Sequence, residues 1–152
     1  MALAKREPQI ELRDARISDA ADIAGLAEAL GYPSTAQQVR ERMQSMLRDP
    51  RNHITVAEMA GDGLVGWVHV YRHELLEMDP FAEIGGLIVG EAYRGRGIGS
   101  RLIEAALYWT RACGITDLRV RTRVERERAH KFYYRHGFEL RKTQLVLSKP
   151  IE

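Results

Sequence analysis

The sequence predicts an α/β domain built on one central sheet, mixed but mostly antiparallel, with helices flanking it. Strand-like and helix-like stretches follow one another in the order β, α, α, β, β, β, α, β, α, β. Gly61-Asp62-Gly63 joins two of the strands with residues that tolerate positive φ, as an antiparallel hairpin requires. The next strand runs into a helix and then another strand, a crossover that sets two strands in parallel.

Residues 9 to 14 alternate apolar and polar and predict the first strand. Ser18 can cap a helix carrying Ile23, Leu26, Ala27 and Leu30, with Gly31 at its end. After Tyr32-Pro33, Ser34 and Gln37 have capping-box spacing, Val39, Met43, Met46 and Leu47 form an apolar stripe, and Asp49-Pro50 stops it. The hairpin strands cover 53 to 59 and 64 to 71, and Ala82 to Val89 is the following strand. Ile98, Leu102, Ile103, Ala106 and Trp109 mark an amphipathic helix closed by Gly114. Leu118, Val120 and Thr122 alternate with Arg119, Arg121 and Arg123 as a strand, 127 to 136 reads as a short helix, and 138 to 148 as a strand or hairpin.

A chain of 152 residues without repeats or linker-like tracts is expected to form a single domain spanning 1–152, burying about 70% of its unfolded surface. With 45% hydrophobic and 29% charged residues it resembles ordinary globular proteins, which excludes disordered and fibrous classes. No apolar run approaches the ~18 residues of a membrane span, and the charged start, Met1 to Pro8, is unlike a secretion signal, so a cytoplasmic location is expected. The single cysteine, Cys113, excludes an internal disulfide and reads as a buried helix residue. His69 and His73 are too far apart along a strand to chelate, so no metal is expected.

The net charge of +2 is unevenly spread: Arg94 to Lys142 holds thirteen basic and five acidic residues, leaving the remainder at −6. Within that remainder Glu74, Glu77, Asp79, Glu83 and Glu91 form a stretch without Lys or Arg. An anionic ligand would favour the first region and a cation the second, although solvated faces give the same pattern.

The chemistry concentrates between Leu87 and Arg101, where an apolar strand enters a loop with three glycines in five residues and then a helix. Such a junction binds phosphate: glycines let the backbone approach, free N–H groups point outward, and the helix dipole adds partial positive charge. There is no lysine for a nucleotide-triphosphate loop, and Gly95 to Ser100 ends in serine after the fourth strand, which fits a dinucleotide fingerprint poorly.

Arg94-Gly95-Arg96-Gly97-Ile98-Gly99 resembles the Gln/Arg-x-x-Gly-x-Gly/Ala signature of the GNAT superfamily of acyl-CoA-dependent N-acetyltransferases. Ala129 to Phe138, with Phe132, Tyr133, Gly137 and Phe138 in place, is similar to that family's second signature, and the resemblance runs from about residue 9 to 148. It implies an N-acetyltransferase that moves the acetyl group of acetyl-CoA directly to a primary amine of a small molecule or peptide. Leu87, Ile88 and Val89 would then pair with the pantetheine arm, and Arg94, Gly95, Arg96, Gly97, Ile98 and Gly99 would hold the pyrophosphate. Gly85-Gly86 inside a strand fits either a bulge that admits the cofactor or a tight strand crossing. The family often has Asn where this chain has Arg126, which implies either that Arg126 makes a phosphate or adenine contact in its place or that the cofactor sits slightly differently.

An amine of pKa ~10.4 is almost entirely protonated at pH 7, so a base assists. Glu83 in Phe81-Ala82-Glu83-Ile84 is the candidate base by similarity to histone-type relatives; many other relatives use a water, and both assignments stand open. Tyr133 occupies the position of the acid that protonates the leaving thiolate, and a main-chain N–H near Leu87 would meet the oxyanion. The acidic stretch suggests a cationic acceptor such as a polyamine, an aminoglycoside-like amine or a peptide amine. A non-catalytic acyl-CoA sensor is the alternative reading. No nucleic-acid or membrane partner is expected, and exposed sheet edges make a homodimer possible.

Overall fold

The computed structural model describes residues 9–152, so the charged start, Met1 to Pro8, lies outside the described residues. The chain divides into two compact units, one ending at Arg121 and one beginning at Thr122. The first holds β1 (Ile10–Asp14), α1 (Ala20–Ala27), α2 (Ala36–Met46), β2 (Asn52–Met59), β3 (Gly63–Leu75), β4 (Met78–Val89), α3 (Ile98–Ala112) and β5 (Leu118–Val120). The second holds α4 (Glu127–Arg135). The sheet runs β1-β2-β3-β4-β5, antiparallel until β5, which lies parallel to β4 through the α3 crossover. The expected mixed α/β architecture is borne out.

Alternation along the strands assigns the two faces. Val56 of β2 lies opposite Trp67 of β3, and both pack with Ile23 and Ala24 of α1 and Val39 and Met43 of α2. Gly66, next to Trp67 and so on the other face, meets Ile98 and Leu102 of α3. A Cβ at Gly66 would stand 2.8 Å from the carbonyl oxygen of Ile88, so α3 seats against bare backbone. Leu102, Ile103 and Ala106 on α3 are fully buried; the two larger side chains each contribute about 1.5–3 kcal/mol by leaving water.

Helix starts differ from the expected ones by a residue or more. A 3₁₀ turn, Ile17–Asp19, precedes α1, and Asp19 rather than Ser18 stands at its N-cap. The Asp19 carboxylate is turned away from the helix amides toward Arg13, whose Nη1 and Nη2 donate to its two oxygens at 2.9 Å each. At α2 the box is Thr35 and Gln38: Thr35 Oγ1 accepts from the Gln38 N–H at 3.1 Å and Gln38 Oε1 from the Thr35 N–H at 2.9 Å. Ser34 and Gln37 share that spacing, but Ser34 Oγ accepts from Arg42 instead.

Strands β3 and β4 extend well beyond the expected hairpin strand ending at 71 and the strand beginning at Ala82, with a turn at Leu76-Glu77 between them. Pro80 suggests a break, yet it sits where the register shifts between His73 and Leu75, and a shifted ladder asks no N–H of it. Strand β5 stops at Val120, before Thr122. The expected strand or hairpin at 138–148 is absent: residues 138–152 form neither helix nor strand, and Leu140, Leu145, Val146 and Leu147 are exposed. Alternation chooses which face a strand would bury, but a strand also needs a partner backbone, and residues 122–152 contain no strand. Cys113 caps the end of α3 and is half-buried rather than buried.

The Arg13–Asp19 pair ties β1 to the entry of α1. Arg13 holds the Asp19 carboxyl below the usual range, helped by the Arg16 N–H that Asp19 also accepts at 2.8 Å. A depressed carboxyl contributes stability that is present above its unfolded pKa of about 3.9 and is lost as pH falls through the folded value. Asp19→Ala should therefore cost about 1–2 kcal/mol at pH 7, because Arg13 keeps its second partner Glu58 at 2.9 Å, and lower the melting temperature by roughly 2–8 °C. Paired melting curves should converge below about pH 4; an equal gap at pH 3 and pH 7 would refute the assignment.

Candidate functional site

The corner between β4 and α3 combines three features that favour an anion. Gly95 and Gly97 have φ of +79° and +80°, a conformation that L side chains adopt only with strain, and an added Cβ at either would meet nothing within 4 Å. Among the described residues, the amides of Gly95, Arg96, Gly97, Ile98 and Gly99 donate to no backbone carbonyl. Gly97 is the N-cap of α3, which has neither a capping side chain nor an acidic residue in its first turn, so nothing of the helix's own neutralises its dipole there. Arg94 Nε reaches back to the Val89 carbonyl at 3.4 Å, and Arg96 lies over the Tyr93 ring at 5.5 Å; both side chains are exposed beside the corner.

Just before the corner, β4 has an unpaired edge. Strand β5 bonds it only through Ala82, Glu83 and Ile84, so Leu87, Ile88 and Val89, paired to β3 on one side, have no strand partner on the other among the described residues. The register slips between His69 and Val70, leaving Gly85 as the extra residue. The glycine pair thus lies at a bulge that is also a tight crossing. A Cβ at Gly85 would stand 2.9 Å from His69 Nδ1, and one at Gly86 would stand 2.9 Å from the Trp67 ring.

On the same face, Glu83 is only 5% exposed and has donors on both oxygens. The Tyr71 hydroxyl donates to Oε2 at 2.5 Å, and Arg121 Nε donates to Oε1 at 2.9 Å. His73 Nε2 stands 3.6 Å from the same Oε1. The register puts Tyr71 directly opposite Glu83, with the Tyr71 ring between His69 and His73 at centroid distances of 5.3 and 4.7 Å. Burial and the hydrogen bond to Glu83 push the Tyr71 phenol up to about 12, so it remains a donor at neutral pH. Burial pushes His69 down, and its Nε2 lies 2.8 Å from Asn52 Oδ1. Of the acidic stretch only Glu83 is buried; Glu74, Glu77, Asp79 and Glu91 are exposed.

In the second unit, Tyr133 lies on α4, where its ring meets Phe132 at 5.1 Å and Phe138 at 5.3 Å, both edge-on. The Gly-Phe pair explains itself as a helix stop: the Gly137 N–H donates to Tyr134, the Phe138 N–H to Tyr133, and Gly137 has φ of +85°. The chain reversal carries Phe138 back onto Tyr133, so the motif fixes that ring by backbone geometry. Burial pushes the Tyr133 phenol up to about 12, which keeps it protonated near neutral pH. Arg126 is exposed at the start of α4, and its N–H donates to the Arg123 carbonyl.

The pattern of the acetyltransferase (GNAT) family matches residues 20–138, more than half of the chain. The chain belongs to the GNAT acetyltransferase family. This acetyltransferase is 31% identical over 145 residues to aminoglycoside N(6')-acetyltransferase type 1 of Stenotrophomonas maltophilia, covering 93% of this chain and 94% of the relative. It is also 31% identical over 134 residues to the aminoalkylphosphonate N-acetyltransferase of Salmonella typhimurium strain LT2, covering 87% and 86%. Its fold matches that of aminoglycoside N-acetyltransferase AAC(6')-Iy in complex with CoA, with a TM-score of 0.86 at 19% identity over 98% of this chain and 100% of the other. The expected activity, acetyl transfer to an amine by an acyltransferase, is thereby borne out.

Sequence reasoning singles out Glu83 in this acetyltransferase but misses its partners Tyr71, His73 and Arg121. Tyr71 and His73 fall on the face of Glu83 only through a register that depends on the bulge at Gly85, and Arg121 only through the α3 crossover. The alternation of Tyr71 with His69 and His73 carries part of that signal.

Proposed function

We propose that the chain works as one 1–152 domain that transfers the acetyl group of acetyl-CoA directly to a primary amine of a small cationic acceptor. The observation that carries this reading is the corner from Gly95 to Gly99, whose amides lack backbone acceptors beside the unpaired edge of β4. Residues Leu87, Ile88 and Val89 would bond the pantetheine amides as an added strand, and the amides of Gly95 to Gly99 would take the pyrophosphate. Arg94, Arg96 and Arg126 supply further cationic contacts to the phosphates or adenine. Acetyl-CoA supplies the electrophile, an acyl carbon on a sulfur leaving group.

Glu83 accepts the proton that the acceptor's ammonium must lose, and Tyr133 donates one to the departing thiolate. A small acceptor is supported by the two relatives named for aminoglycosides and aminoalkylphosphonates, both amine-bearing small molecules. Thiol release measured with acetyl-CoA and a panel of primary amines, both concentrations varied, tests the reading. Intersecting double-reciprocal lines are expected; parallel lines, or no amine-dependent release, would overturn it.

A further inference from the structure

Arg121 is the one partner of Glu83 built to leave. It follows the last residue of β5, its side chain is 62% exposed, and its guanidinium meets the carboxylate through Nε. Tyr71 is held between two rings on a central strand, directly opposite Glu83. Arg119, on the same face, is committed elsewhere: it donates to Asp117 at 2.9 Å and lies 3.8 Å over the Phe81 ring. Oε1 is thus the oxygen that can be vacated, and His73 Nε2, buried without a hydrogen-bond partner, stays 3.6 Å from it.

Resting on the reading of Glu83 as the acceptor's proton acceptor, we propose that Arg121 is a displaceable counter-ion whose place on Glu83 Oε1 is taken by the acceptor's ammonium. The exchange replaces one cation by another, so the buried carboxylate is never left uncompensated, which would be costly. The Arg121 end of the pair lies in solvent, 62% exposed, so its guanidinium is rehydrated as it leaves while the arriving ammonium takes over the compensation of Glu83. An ammonium arriving beside a seated Arg121 would meet a like charge, and a neutral molecule could not replace the lost pair. The device therefore selects for a primary ammonium over an uncharged ligand, and Arg121 is a positioning residue that acts through Glu83.

The test is the dissociation constant of n-butylammonium, followed by the amide resonance of Gly85, in the wild type and in Arg121→Gln, Arg121→Lys and Glu83→Gln, with melting curves to check folding. Arg121→Gln should bind the probe about fivefold more tightly, Arg121→Lys should return toward the wild-type value, and Glu83→Gln should bind about tenfold more weakly. Should Glu83→Gln weaken binding while Arg121→Gln does not tighten it, displacement is wrong and the role of Glu83 stands. No change in either variant, including no measurable binding anywhere, overturns both. Weaker binding by the Arg121→Gln variant would instead make Arg121 part of the ligand's own site and overturn displacement.

Discussion

Glu83→Gln should lower kcat/KM for the amine at pH 7 by about 100-fold, the scale of one positioned proton-transfer group. Glutamine is close to isosteric and can still accept from the Tyr71 hydroxyl that now donates to Oε2 at 2.5 Å, so the fold should survive. What it removes is a place for the acceptor's proton. An alkylammonium of pKa ~10.4 is neutral in only about one molecule in 2,500 at pH 7, and without Glu83 the free amine must come from bulk water. The deficit should therefore shrink as pH rises toward 10, whereas binding of acetyl-CoA, which the proposed grip assigns to other residues, should hardly change. Initial rates between pH 6 and 10 measure this; a variant with full activity throughout would remove Glu83 from the proton-transfer role and leave it to a water.

Tyr133→Phe should lower kcat by a similar factor of about 100 with little change in KM for acetyl-CoA. Phenylalanine retains the ring that packs edge-on against Phe132 and Phe138, so only the hydroxyl is tested. Because burial pushes this phenol up to about 12, the wild type should lose no activity through its ionisation up to pH 10. A thiol of pKa ~8.5 needs its proton less as pH climbs past that value, so this variant should recover at lower pH than the glutamate variant. Rate profiles of the two variants side by side separate the roles. Coincident recovery curves, or an unimpaired Tyr133→Phe variant, would contradict them.

How much of this could be read from the chain depends on the range of the interaction involved. The glycine corner is local: glycines at 95, 97 and 99 between an apolar strand and an amphipathic helix state a backbone requirement, and the structure has positive φ at two of them. The Gly137-Phe138 signature is equally local, a helix stop that returns Phe138 to Tyr133. The surroundings of Glu83 are not local. Its neighbours follow from a strand register with a bulge at Gly85 and from a parallel pairing that spans α3, and no window of sequence around residue 83 contains them. Boundaries failed for a third reason, competition between equivalent signals: Ser34 and Thr35 each have glutamine three residues on, and only Thr35 forms the capping box.

The central claim, that main-chain amides from Gly95 to Gly99 grip the cofactor's pyrophosphate, is tested most directly by recording backbone amide resonances of the ¹⁵N-labelled protein while CoA is added. The account predicts that the amides of Gly95, Arg96, Gly97, Ile98 and Gly99 shift together and downfield, as new hydrogen bonds to anionic oxygens require, with the largest changes in the first described unit at this corner. Saturation by CoA that leaves those five resonances in place would contradict it.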